Sequence, residues 1–164
     1  MTLRLSEIDF DELSRLQAYC YGSAQDRGFH KAAEILAEAT ATADSPAQKK
    51  ALEAAFIDRA GNRLMLIVGE ANEAHDELRS GRDPNERYYS FPKDAEPHPG
   101  ETPLHWQNRT GLLAKPEGVP SELADIVVRV MDFAGEHGID LADAIQEKLA
   151  FNEQRAAMHG GKKF

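Results

Sequence analysis

The stretch SELADIVVRVMDFAGE, residues 121–136, has the pattern of a helix that is apolar over most of its circumference. With about 100° of rotation per residue, its charged side chains fall within an arc of about 80°, and apolar or small side chains occupy the rest. The charged positions are Glu122, Asp125, Arg129, Asp132 and Glu136. A helix with so narrow a polar stripe packs deeply against its neighbours, so we expect an all-α fold, a helical bundle.

Helical signals also dominate the rest of the chain, whereas sustained alternation of β-branched residues is absent. A capping box formed by Asp9 and Glu12 is expected to open the first helix. Capping residues and glycine stops predict helices over about 9–26, 31–40, 45–78, 121–136 and 141–155. The long third helix is expected to break near Gly61.

A proline-rich segment interrupts this helical pattern. Seven of the eight prolines fall between Pro84 and Pro120, together with several aromatic residues. Proline removes a backbone donor and disrupts helix interiors, so we expect this segment to contain no helix. It is interpreted as a long loop insertion, about residues 81–119, within a single domain spanning residues 1–164. A lid, an oligomer contact and disorder all remain open for it.

The composition excludes several classes of protein. Lys and Arg number 19 against 28 Asp and Glu, a formal charge of −9, so the surface suits neither nucleic acid nor anionic lipid. The single cysteine, Cys20, excludes an intramolecular disulfide and a cysteine-based zinc site. The longest apolar run, Leu64–Val68, is far shorter than the roughly 20 residues of a membrane span, and the N-terminal MTLRLSEIDF does not resemble a secretion signal. We therefore expect a cytoplasmic protein that binds no nucleic acid and no membrane.

Two predicted helices carry carboxylates on one face. Glu70 and Glu73 are three residues apart on one, and Glu122 and Asp125 are three residues apart on the other. If the helices pack antiparallel the four acids meet, and such a cluster either protonates or recruits cations. Oxygen ligands favour Mg²⁺ or Mn²⁺ over zinc. Spacing alone leaves open that these acids form solvated helix faces, with Arg129 paired to Asp125.

The last predicted helix presents a polar and cationic face. Lys148, Asn152 and Arg155 follow one another at spacings of four and three residues. An ammonium, an amide and a guanidinium on one face are suited to holding phosphate oxygens. Basic residues near a helix C-terminus also complement its dipole, and for Arg155 alone that alternative is the stronger.

The motifs GEANE (69–73), SELAD (121–125), KLAFNEQR (148–155) and HGGKKF (159–164) resemble those of the MazG-like all-α NTP pyrophosphohydrolases, of the small single-domain phage and bacterial type. The resemblance covers roughly residues 60–80 and 115–164, and the N-terminal helix loosely. It implies the helical bundle of the all-α NTP pyrophosphatases. It also implies that the ExxE and ExxD motifs bind Mg²⁺, which assigns the metal to Glu70, Glu73, Glu122 and Asp125.

The resemblance further implies an activity and a substrate. The expected reaction is Mg²⁺-dependent hydrolysis of an NTP or dNTP at the α-phosphorus, giving the monophosphate and pyrophosphate. Glu73 and Asp125 would be the catalytic acids, with Glu73 a candidate to orient or deprotonate the attacking water. Substrate contacts would come from Lys148, Asn152 and Arg155 at the phosphates and from Phe29 and His30 near the base; a core position is an alternative for Phe29. A homodimer or homotetramer is also implied, with Leu64–Val68 among its apolar contacts.

Two departures from the family pattern leave other functions open. Gly69 stands where many relatives carry a further Glu, and the gap between the two acidic motifs is longer than usual. The first leaves the number of metal ions open, and the second the substrate preference. A catalytically weak nucleotide-binding or regulatory protein, which Gly69 favours, is one alternative to the hydrolase. A structural helical interaction module with solvated acids is the other.

Overall fold

The computed structural model describes residues 4–154, and 69% of the structure is helical. The predicted all-α class is therefore confirmed. The described residues form six α-helices, two short strands and a 3-10 turn at Leu5–Glu7. The helices are α1 Phe10–Asp26, α2 Lys31–Ala41, α3 Pro46–Arg79, α4 Pro103–Thr110, α5 Val119–Glu136 and α6 Leu141–Glu153; the strands are β1 Tyr88–Ser90 and β2 Lys115–Glu117.

Polar caps define the beginnings of α1 and α6. The Asp9 carboxylate accepts a hydrogen bond from the Asp11 amide at 2.9 Å, which caps α1. The Asp140 carboxylate caps α6 through the amide of Asp143, at 3.0 Å. The expected capping box does not form in α1, because the Glu12 carboxylate pairs with Arg15 instead.

Two helix bounds differ from the prediction. Helix α3 runs unbroken through Gly61, because the surrounding residues are good helix formers and a single glycine costs only about 1 kcal/mol. Helix α5 begins at Val119, two residues before the expected Ser121. The cause is Gly118, whose φ of +97° turns the chain from β2 directly into the helix. Its carbonyl accepts the amides of Ser121 and Glu122 at 2.8 and 3.2 Å.

The chain forms two compact units. In the first, residues 4–61 and 128–154, helix α1 packs against α6. The Gln17 amide joins them: its Nε2 donates to the Ile139 carbonyl at 2.8 Å, and its Oε1 accepts from the Leu141 amide at 3.3 Å. The core of this unit includes Cys20 and Met131. Burial, assisted by the charge of Asp132, raises the pKa of the Cys20 thiol, so it is neutral and apolar in character.

The second unit, residues 62–127, contains the proline-rich segment as an ordered structure. The expectation that it holds no helix is wrong. Pro103 and Pro120 lie in the first turns of α4 and α5, where no intrahelical partner for the amide is required. Trp106 of α4 is 0% exposed, and its Nε1 donates to the Ala95 carbonyl at 2.5 Å. The Phe91 ring packs edge-on against the Trp106 ring, with centroids 4.9 Å apart.

A small sheet and an ion pair complete this insertion. Strands β1 and β2 pair antiparallel, with Tyr88 opposite Glu117, Tyr89 opposite Pro116 and Ser90 opposite Lys115. The Arg109 guanidinium makes two hydrogen bonds to the Glu101 carboxylate, at 2.8 and 2.7 Å. These bonds lower the pKa of Glu101 to about 2. The insertion therefore has its own aromatic core and its own polar anchors.

Gly118→Ala should destabilise the second unit far more than Gly81→Ala. Both glycines have positive φ, +97° and +87°, so both substitutions carry backbone strain of about 1–3 kcal/mol. Only at Gly118 would the new Cβ lie 2.5 Å from a backbone oxygen, that of Glu86. Urea unfolding followed by the fluorescence of Trp106, the single tryptophan, measures both variants. Equal losses in the free energy of unfolding would contradict the close approach of the Glu86 oxygen to Gly118.

Candidate metal centre

In the second unit, three carboxylates from the helices α3 and α5 lie close together. Glu70 and Glu73 are one turn apart on α3, and Glu122 lies in the first turn of α5. One carboxylate oxygen of each residue lies within 4.8 Å of the others. The structure therefore brings together three of the four acids that the two motifs predicted.

Local sequence accounts for the burial of two of these acids. On α3, Glu70 is followed one turn later by Ala74, and both are buried, so this face of the helix is interior. On α5, Glu122 follows the buried Val119 by three residues and shares its face. Glu73 is exposed. The cluster thus has a buried base, Glu70 and Glu122, and an exposed side, Glu73.

The buried pair is electrostatically strained. Glu70 and Glu122 are 6% and 5% exposed, and one carboxylate oxygen of each lies within 4.8 Å of the other. Burial raises the pKa of Glu122, and the negative charges of Glu73 and Glu70 raise it further. Ionised carboxylates that are this close together and partly buried repel one another, so this group of acids favours a proton or a cation. The all-oxygen donor set fits Mg²⁺ or Mn²⁺.

The fourth predicted ligand, Asp125, lies one turn beyond Glu122 on α5 and is exposed. It is not among the three residues whose ligand atoms converge. Its charge nevertheless contributes to the raised pKa of Glu122, after burial and the charge of Glu73. Its assignment as a ligand and catalytic acid stays a prediction from the motif.

Glu77, one turn beyond Glu73 on α3, is paired with the insertion instead. Its Oε2 lies 3.0 Å from Arg82 Nε, and its Oε1 accepts the Tyr88 hydroxyl at 2.8 Å. The Arg82 guanidinium also lies over the Tyr88 ring, 3.7 Å from its centroid. The hydrogen bond to Glu77 raises the pKa of Tyr88. These contacts attach the start of the insertion to α3 one turn beyond Glu73.

Sequence reasoning did not consider Lys115, which lies on the strand that precedes α5. The Lys115 ammonium on β2 lies 2.8 Å from the Glu117 carboxylate. The hydrogen bond to Glu117 raises the pKa of Lys115, and the charges of Glu122 and Glu73 add to the effect. Lys115 precedes Glu122 by only seven residues, but this segment was expected to be irregular. No periodicity was therefore available to place its side chain.

The two residues predicted near the base, Phe29 and His30, lie between α1 and α2 in the first unit. His30 is 3% exposed; its Nε2 lies 2.8 Å from Asp132 Oδ1, and its Nδ1 lies 3.3 Å from Glu136 Oε1. Arg59 also pairs with Glu136, at 2.6 Å. The imidazole therefore takes part in a buried network of ion pairs, and its position offers no support for substrate contact. Phe29 is 68% exposed, which contradicts the core alternative.

Two of the three predicted phosphate contacts lie in the first unit. Lys148 and Asn152 lie on α6, and both are exposed. The Lys148 ammonium is 5.4 Å from the centroid of the Phe151 ring. Arg155 lies outside the described residues. The phosphate-binding role of these three residues stays a prediction from their spacing and the family motif.

Comparison with known proteins and a search for membrane-spanning helices do not indicate a function. Comparison of the chain with protein-family models, curated proteins and solved structures found no match. Within residues 4–154, no helix combines the length and the apolar character needed to cross a membrane. The chemistry of the converging acids is therefore the strongest indication of function.

Glu122→Gln should raise the melting temperature of the metal-free protein at about pH 8, by about 2–4 °C per kcal/mol of strain removed. Because the folded-state pKa of Glu122 lies above its usual value, stability falls as pH rises through the interval between the two. The gain should therefore shrink as the pH is lowered from 8 toward the ordinary range of a glutamate pKa, because the wild-type group takes up a proton there. Thermal unfolding in EDTA, with the exposed Glu53→Gln as control, measures it. A Glu122→Gln variant less stable than wild type throughout this pH range would contradict the claim that the ionised Glu122 carboxylate destabilises the metal-free protein.

Proposed function

We propose that the chain is a Mg²⁺-dependent nucleoside triphosphate pyrophosphohydrolase, which cleaves an NTP or dNTP to the monophosphate and pyrophosphate. The observation that carries this proposal is the convergence of Glu70, Glu73 and Glu122, two of them buried. The resemblance of the ExxE and ExxD motifs to those of MazG-like enzymes supports the reaction class.

The donor set supports a divalent cation. Three carboxylates carry a charge of −3, which one divalent ion reduces to −1. A Mg²⁺ or Mn²⁺ ion bound there would neutralise phosphate charge and activate the attacking water. Glu70 and Glu122 hold fixed positions because both are buried on helices.

The exposed acids have different proposed roles. Glu73 is the exposed member of the cluster, so its carboxylate is available to orient the attacking water or accept its proton. Asp125, one turn beyond Glu122, completes the ExxD motif and is proposed as the fourth acid of the site. Its charge already acts on Glu122, as a neighbouring ligand's would.

We also infer that the protein acts as a homodimer or homotetramer. Leu64, Met65, Leu66 and Val68 of α3 are each more than two-fifths exposed. Leu123 and Val127 of α5 are similarly exposed. Clustered apolar side chains on a soluble chain mark an interaction surface. A second copy of the chain is the proposed occupant, since closed symmetric pairing is the commonest way to cover such a face.

Pyrophosphate release from a panel of NTPs and dNTPs, with Mg²⁺, Mn²⁺ and EDTA arms, tests the activity. Metal-dependent release is expected, with one nucleotide clearly preferred. Glu73→Gln should lower kcat about 100-fold or more, as expected for loss of a general base. Asp76→Asn, which changes a 71% exposed carboxylate on the same helix, should retain the wild-type rate.

Wild-type turnover by the Glu73→Gln variant would contradict the role of this acid. If the folded wild type released no pyrophosphate in any arm, the hydrolase proposal would be wrong. Nucleotide-dependent stabilisation in the absence of turnover would then favour the nucleotide-binding alternative.

Light scattering coupled to size-exclusion chromatography tests the assembly. The measured mass of the wild type should be two or four times the 18.1 kDa of one chain. Val68→Lys should reduce that mass, because a charge placed in an apolar interface is costly to desolvate. Leu113→Lys introduces the same charge at an 83% exposed leucine of the insertion and should leave the mass unchanged. A wild-type mass of one chain would refute the inference.

A further inference from the structure

Helix α3 has one face that the chain buries and a second, mostly apolar face that the chain leaves exposed. Glu70 and Ala74 mark the buried face. A second row of positions, alternately four and three residues apart, lies roughly a third of the circumference away from them. We call this row the α3 stripe; it consists of Ile57, Gly61, Leu64, Val68, Ala71, His75 and Leu78, all of them exposed.

The spacing of the α3 stripe is that of a coiled coil. Positions that alternate by four and three residues repeat every 3.5 residues, which keeps them facing one partner helix over several turns. The stripe extends from Ile57 to Leu78 on a helix of 34 residues. Its four large apolar side chains are each more than two-fifths exposed. A row of this length and period is suited to contact with a second long helix.

Gly61 supports the same interpretation independently. A glycine inside a helix costs about 1 kcal/mol relative to alanine. A Cβ added at Gly61 would meet no atom of the chain within 4 Å, so packing within the chain does not require a glycine there. On the stripe, a glycine allows the backbone of another helix to approach closely.

The charges beside the stripe fit a second copy of α3 in antiparallel orientation. Asp58 and Arg79 each directly follow a stripe residue, so they occupy the same position of the heptad repeat. In an antiparallel pair such positions face each other, and Asp58 meets the partner's Arg79 when Leu64 lies opposite the partner's His75. A parallel pair in register would keep these two charges about 30 Å apart. Within the chain, Arg79 pairs with Asp76 at 3.5 Å, and both side chains are 71% exposed, so that pair contributes little.

We propose that the α3 stripe binds the α3 stripe of a second copy of the chain as an antiparallel two-helix coiled coil. Leu64 then lies opposite the partner's His75, and Val68 lies opposite the partner's Ala71. Two symmetric ion pairs between Asp58 and Arg79 set the register. The proposal rests on the homo-oligomer inferred with the proposed function, because it names the surface and the geometry of that contact. It does not depend on hydrolysis.

Oxidative cross-linking of the full chain tests the orientation. The double variant Leu64→Cys/His75→Cys should form a covalent dimer on non-reducing gels, because a disulfide requires Cα atoms within about 7 Å of each other. Neither single variant should cross-link, since the two copies of each residue would lie about 16 Å apart along an antiparallel pair. A parallel pair in register would instead cross-link in each single variant. The wild type is the control, because its one cysteine, Cys20, is buried.

Charge reversal tests the register without added cysteines. Asp58→Arg and Arg79→Asp should each raise the Kd of the dimer about 10-fold, measured by sedimentation equilibrium, because both ion pairs become repulsive. The double variant Asp58→Arg/Arg79→Asp should return Kd close to the wild-type value, since the pairs form again with exchanged charges. Glu147→Arg, which reverses an exposed acid on α6, should leave Kd unchanged.

Three results would overturn the proposal: a wild-type mass of one chain, cross-linking of the single cysteine variants, and an oligomeric double cysteine variant that does not cross-link. The last result would keep the homo-oligomer and place its contact elsewhere. A chain that cross-links as expected but releases no pyrophosphate from any nucleotide would support the stripe and refute the hydrolase. A chain that hydrolyses nucleotides as a monomer would do the reverse.

Discussion

The closeness of two buried carboxyl groups, those of Glu70 and Glu122, is the constraint on which the rest of the site depends. In a low-dielectric interior, two like charges this close together are unfavourable unless a proton or a cation compensates them. Packing alone does not explain such a pair, since apolar side chains of similar size would fill the same space without strain. The proposed divalent-cation site would explain why carboxylates occupy both positions.

The proline-rich insertion is folded and is attached to α3, the helix that carries Glu70 and Glu73. Its aromatic core around Trp106 and its anchor on Glu77 make it a folded element of the second unit. A folded insertion holds its side chains in fixed positions, which a disordered loop does not. The order of this segment therefore fixes Lys115 and its partner Glu117 on β2, directly before the helix that carries Glu122.

The parts that could be predicted from sequence are those that depend on local spacing. Glu70 and Glu73 are one helical turn apart, and Glu122 opens a strongly amphipathic helix, so periodicity sufficed to nominate all three. The pairing of His30 with Asp132 depends instead on residues 102 positions apart in the chain, which no local pattern reveals. The prediction for the insertion failed because proline was treated as a helix breaker, although Pro103 occupies a first turn.

Anomalous diffraction from crystals of the protein soaked in Mn²⁺ tests the central claim most directly. An anomalous peak is expected in contact with carboxylate oxygens of Glu70, Glu73 and Glu122, removed by EDTA and absent from crystals of the Glu122→Gln variant. Saturating Mn²⁺ that leaves no peak among these three carboxylates, in crystals where they converge, would contradict it.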